Sequence, residues 1–109
     1  MISFDEWAKA ELKAAKIISA EDIPGKDRLY KLQIDLGTEK RQIIAGVKQS
    51  YSKEELEGKT IIAVTNLAPA KIAGLESQAM LLAVKNSAGA YSLVSVDTAE
   101  KVAAGTLVE

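Results

Sequence analysis

The chain has 109 residues, with 14 Lys+Arg against 15 Asp+Glu, 48% apolar residues, and neither Cys nor His. That length supports one domain, residues 1–109, around a single core, and the missing residue types exclude a thiol nucleophile, a Ser-His-Asp triad and the usual zinc or haem ligands. A net charge of −1 excludes coating nucleic acid by bulk charge, since domains that do so commonly have a pI above ~9.

In chain order, Ser3-Phe4-Asp5-Glu6 has the capping-box pattern, with Ile2 and Trp7 at the hydrophobic-staple positions. A short helix is predicted there, with Phe4 and Trp7 expected to anchor it on the body of the fold. Ala14 to Ala20 suits a helix as well as a strand. Lys31-Leu32-Gln33-Ile34-Asp35-Leu36 alternates polar and apolar residues and predicts a half-buried strand. Gly37 to Lys40 is a tight connection to a further strand, Arg41 to Ala45. Ser52-Lys53-Glu54-Glu55 repeats the capping box with Tyr51 and Leu56 as its staple, and Gly58 stops that helix.

Thr60 to Thr65 is rich in β-branched residues and Ala79 to Val84 is an apolar run. Asn86 to Gly89 supplies turn chemistry before Tyr91 to Val96 alternates again. Five or six short strands, with a helix between the third and fourth, predict an all-β fold. The order fits an OB-fold: a five-stranded Greek-key barrel, here with a short N-terminal helix and a C-terminal extension. Val94, Val96, Val102, Leu107 and Val108 suit either an interface or closure of the barrel.

No apolar run approaches the roughly 18 residues that suggest a membrane span. The acidic start lacks the basic region and apolar run of a signal peptide. A cytoplasmic protein with no membrane partner is expected. Asp5/Glu6 and Glu54/Glu55 are explained by the helix dipole. No phosphate-cradling glycine motif is present, so no enzyme and no cofactor are expected.

Charge is unevenly arranged. Residues 26–96 carry a net +3, whereas residues 1–25 and 97–109 each carry −2. One face can therefore be mildly positive, although Lys40, Arg41, Lys53 and Lys59 equally suit plain solvation. Tyr30 and Tyr91 are the candidates for surface aromatics, a thin provision for base stacking.

Thr65-Asn66-Leu67-Ala68-Pro69-Ala70-Lys71-Ile72-Ala73-Gly74-Leu75-Glu76-Ser77-Gln78-Ala79-Met80-Leu81-Leu82 resembles the signature of the EMAP-II-like tRNA-binding domain family. Asp27-Arg28-Leu29-Tyr30, Ile44-Ala45-Gly46 and Tyr51 to Lys59 resemble its other segments, in the family order. The likeness runs from about Phe4 to Val108. It implies an OB-fold and, in short free-standing members, a homodimer that uses the segment after the barrel. It also implies a non-catalytic module that recognises tRNA by shape, because the deep major groove of A-form RNA is closed to side chains. The family includes stand-alone tRNA-binding proteins, the appended or separate domain of methionyl-tRNA synthetase, and a dimeric secretion chaperone. The implied partners are therefore tRNA and an aminoacyl-tRNA synthetase or, in the alternative, unfolded polypeptide.

By the same resemblance Arg28 would contact phosphate, Asn66 backbone or base, and Lys71 would supply charge. Ser77 would hydrogen-bond and Met80 pack against a nucleotide. Met80 equally suits core filling, and Ser77 and Asn66 equally suit closing their loop. This chain has Ile23-Pro24 where the family often has His-Pro, and Ala73 where a basic residue commonly precedes the glycine. Fewer basic groups imply weaker binding and a shallower salt dependence.

Overall fold

A computed structural model describes residues 1–109. Both capping boxes form. Ser3 Oγ accepts from the Glu6 amide at 3.2 Å and opens α1 (Phe4–Trp7), while Ser52 Oγ accepts from the Glu55 amide at 3.2 Å and opens α2 (Lys53–Leu56). Each glutamate returns the bond to the serine amide. The bonds from Ser52 hold the Glu55 carboxyl below its ordinary pKa.

Five antiparallel strands form the main sheet. They are β1 (Leu12–Ile23), β2 (Lys26–Asp35), β3 (Lys40–Ala45), β4 (Thr60–Val64) and β7 (Met80–Leu81), in the order β3-β2-β1-β4-β7. Two hairpins complete the fold: β5 (Ala70–Ile72) with β6 (Leu75–Ser77), and β8 (Ala83–Lys85) with β9 (Tyr91–Leu93).

β1 is the shared strand. Its first residues pair with β4 (Leu12 opposite Val64 to Lys16 opposite Thr60), and from Lys16, opposite Asp35, it pairs with β2 across a register shift between Ile17 and Ser19. Such irregularities bend a strand, as a closing sheet requires. This resolves the alanine-rich stretch as strand: Ala14, Ala15 and Ala20 are buried where neighbouring layers approach closely. On β2 and β3 the alternation puts Tyr30, Leu32, Ile34 and Ile43 inward, and Leu56 of α2 joins the same core.

The structure differs from the sequence reading at four places. Neither Phe4 nor Trp7 anchors α1, because no residue of that helix is buried and the two side chains are 87% and 41% exposed. The link to the barrel runs instead through the following backbone, at Lys9 and Glu11. Tyr30 is buried on the inward face of β2, its hydroxyl donating to the Tyr51 carbonyl at 2.8 Å. The apolar run Ala79 to Val84 divides between β7 and β8 at Leu82. There the Leu82 amide bonds Ile62 of β4 while its carbonyl accepts from Val94. The β5–β6 hairpin lies inside a stretch that reads as loop. Its turn is Ala73-Gly74, both at positive φ (53° and 78°), the conformation that suits two-residue hairpins.

The C-terminal extension closes the barrel at the edge of β1 that β2 leaves free. Gly105 donates to the Ala14 carbonyl at 2.7 Å, Ala14 donates to Thr106 at 2.9 Å, and Val108 donates to Leu12 at 2.8 Å. Gly105 has φ +90°, and a Cβ there would lie 2.1 Å from the Leu36 carbonyl oxygen. Gly105→Ala is therefore expected to cost more than about 1 kcal/mol of stability, measured by urea unfolding. Wild-type stability in that variant would mean the tail docks elsewhere.

Candidate nucleic-acid interface

An apolar groove of about 340 Å³ lies where β2 and β3 meet the two hairpins; Leu29, Val47, Ile72, Met80, Ala83 and Tyr91 are among its lining residues. The pleat explains the lining. Leu81 points into the core, so its neighbour Met80 turns to the groove while still packing on the core. Tyr91 stands at the rim, 36% exposed. The register Lys85 opposite Tyr91 places the Lys85 ammonium 5.5 Å from the ring centroid, within reach of a cation–π attraction.

Arg28 and Lys71 are exposed, on separate strands, and next in sequence to two lining residues, Leu29 and Ile72, but neither is itself part of the lining. Neither they nor Lys85 has a carboxylate within ion-pair distance. Other cations nearby are committed. Lys48 and Lys53 both grip Asp22, Lys31 pairs with Glu21 at 3.5 Å, and Arg41 pairs with Glu39. Lys48 first, then Lys53, holds the Asp22 carboxyl below its usual pKa.

The remaining two predicted residues lie behind the groove. The Ser77 hydroxyl is buried, accepting from the Ile44 amide at 3.1 Å and donating to the Ala79 carbonyl at 3.0 Å. Asn66 faces the N-terminal segment: its Oδ1 accepts from the Glu11 amide at 2.8 Å and its Nδ2 donates to the Lys9 carbonyl at 2.5 Å. Thr65 adds a bond from its hydroxyl to the Glu11 carboxylate at 2.8 Å, the first cause of that carboxyl's lowered pKa. Arg41 reaches across to the Thr65 and Gln78 carbonyls. Of the five predicted residues the structure places Met80 in the groove lining and Arg28 and Lys71 on the surface next in sequence to lining residues, while Ser77 and Asn66 are held in hydrogen bonds within the fold.

Sequence reading passed over Lys85. The signal available was its place one strand before Tyr91 across the Asn86–Gly89 turn, which makes the two cross-strand neighbours.

Residues 12–106 match the family model described as "Putative tRNA binding domain". The chain is 51% identical to Methionine--tRNA ligase of Thermotoga maritima over 96 residues, which is 88% of this chain and 15% of that enzyme. It thus spans a small part of the curated ligases it matches. Among solved structures, it is similar to the MetRS related protein from Pyrococcus horikoshii, with a TM-score of 0.92 and 38% identity, covering 100% of this chain and 98% of that one. It is also similar to the chaperone CsaA of Bacillus anthracis, with a TM-score of 0.88 and 27% identity, covering 100% and 99%.

Ser77→Ala leaves the buried Ile44 amide without its acceptor. It is expected to destabilise the fold by about 1–3 kcal/mol, read from the midpoint of denaturant unfolding. An unchanged midpoint would show that this bond does not hold the loop.

Proposed function

We propose a function from one premise: the chain belongs to the tRNA-binding domain family. It is a tRNA-binding module, and the groove is its binding face. The supporting observation is an apolar groove whose rim tyrosine has Lys85 set against its ring, with Arg28 and Lys71 exposed next in sequence to lining residues and all three cations free of carboxylate partners. Arg28, Lys71 and Lys85 take phosphates. Met80 and Tyr91 pack against a base or ribose, since aromatic and apolar platforms serve bases of any sequence. Asn66 and Ser77 support binding by fixing the two ends of the segment that holds the β5–β6 hairpin, which carries Lys71. So few phosphate contacts leave the surface shape of the RNA to supply selectivity.

The module does no chemistry on tRNA. Either free-standing or beside a methionyl-tRNA synthetase, it adds contacts that raise the effective concentration of tRNA at the enzyme, which places it in the cytoplasm. It does so as a homodimer. Phe4, Trp7, Leu107 and Val108 line a second groove of about 510 Å³ between α1 and the tail. All four are exposed in the single chain, and a contiguous apolar patch of this kind marks an interaction surface.

A chaperone-like role in binding unfolded polypeptide is the second reading. It is favoured by the mainly apolar lining of the 340 Å³ groove and by the likeness to CsaA.

Titration with bulk tRNA at two salt concentrations tests the first reading. Arg28→Ala and Lys71→Ala are each expected to weaken binding and lower the slope of log K against log salt by about 0.7–0.9. Absence of wild-type binding at low salt overturns it. Suppression of aggregation of an unfolded polypeptide without RNA binding would favour the second. Light scattering should give twice the 11.6 kDa chain mass, and Trp7→Asp should return it to the monomer value.

A further inference from the structure

Asp22 lies near the end of β1, beside the turn that leads to Arg28. Its two carboxylate oxygens are both engaged: Oδ1 with Lys48 at 2.9 Å and Oδ2 with Lys53 at 3.0 Å. The two lysines come from different segments. Lys48 follows the groove-lining Val47, and Lys53 opens α2. Lys48 is also tied to the binding face through its backbone, its amide donating to the Arg28 carbonyl at 3.2 Å. Its ammonium lies 5.9 Å from the Tyr30 ring centroid. One acidic side chain thus draws two cations together in a segment whose backbone is bonded to Arg28, the neighbour of the groove-lining Leu29.

We infer that Asp22 is an intramolecular competitor for phosphate, holding Lys48 and Lys53 off the nucleic-acid face and so capping the strength of the phosphate grip. This inference rests on the groove being the tRNA face. About half of the Asp22 side chain is open to solvent. An exposed ion pair of this kind is weak and exchanges readily with outside ions, so it competes with phosphate without withdrawing the lysines permanently. Asp22 also carries its own negative charge toward any phosphate that approaches Arg28, and like charges across an interface reject partners. With the carboxylate gone, Lys48 and Lys53 would lose their ion-pair partner and, with Arg28, form a basic cluster beside the groove-lining Leu29 and Val47. Such a cluster would bind any polyanion. With Asp22 present, the phosphate contribution stays small and the fit of the RNA surface decides binding.

Asp22→Asn keeps the size and hydrogen-bonding capacity of the side chain and removes its charge. Asp22→Ser serves as a second variant, and thermal unfolding verifies that each is folded. Both should bind bulk tRNA about three- to tenfold tighter at low salt, with a slope steeper by about 0.7–0.9 for each lysine recruited. Poly(U), which lacks the shape of tRNA, should gain at least as much, so that discrimination between the two RNAs falls. Adding Lys48→Ala and Lys53→Ala to the Asp22→Asn protein should remove both the tighter binding and the steeper slope. The inference is overturned if wild type binds tRNA and the folded Asp22 variants bind no tighter, or bind tighter at an unchanged slope, or keep their gain without the lysines. Failure of wild type to bind tRNA at low salt overturns the underlying reading and this inference together.

Discussion

The gap between β3 and the β6–β7 segment is bridged largely by side chains. The outer edge of β3 presents amides that must be paired, because unpaired buried backbone groups are costly. The Gln42 amide bonds Gln78 Oε1 at 3.0 Å, and the Ile44 amide bonds Ser77 Oγ at 3.1 Å. The Gln78 amide returns a bond to the Gln42 carbonyl at 2.8 Å, and the Gln42 side chain reaches the Glu76 carbonyl at 2.9 Å. A regular ladder would have run β6 straight along β3. Side-chain closure lets the backbone turn between Ser77 and Met80 instead. That turn sets the β5–β6 hairpin beside β3 and puts Ile72 and Met80 at the groove. The position of Lys71 therefore follows from how the sheet closes.

The same closure explains which features could be read in the sequence. The capping boxes, the alternation of β2 and the β-branched run of β4 are local patterns with a period or a fixed offset, and the structure follows them. β1 escaped because its alanines were selected by close packing between layers, which carries no local signature. The β5–β6 hairpin escaped because its turn begins with Ala73, the one non-glycine residue at positive φ, where turn chemistry favours Asn, Asp or Gly. Trp7 and Phe4 reversed the expectation for a different reason. An amphipathic helix indicates that a face will be covered but not by what, and in the single chain nothing covers this one.

At the site, residue type suggested contact more readily than support. Asn66 and Ser77 are polar residues in the signature segment, which suits either role. What separates the roles is the partner: Asn66 meets Lys9 and Glu11, and Ser77 meets Ile44. These partners are distant in sequence, so no pattern along the chain could name them. The exposure of Arg28 and Lys71 is easier to read, because a charged side chain with no role in the core remains on the surface wherever the strands run. The near-neutral total is also consistent with a positive groove. Several acids are spent on lysines and an arginine, while Arg28, Lys71 and Lys85 are left unpaired.

Thr65 and Asn66, just past the end of β4, join the two candidate surfaces. Toward the N-terminus they hold Lys9 and Glu11, and so fix the root of α1. Toward the hairpin, the Thr65 carbonyl is held by Arg41, which also reaches Gln78 in the closure of the barrel. The apolar face around α1 and the hairpin carrying Lys71 are thus rooted in one short hydrogen-bonded junction. A dimer built on the α1 face would then hold two grooves at a fixed spacing and orientation. Recognition by shape needs that rigidity: two weak, sequence-tolerant contact sites discriminate a folded RNA only if the distance between them is itself specified. In the proposed dimer, a weak phosphate grip and a tightly bonded junction would be complementary: the first would keep either groove from capturing RNA alone, and the second would make the pair selective.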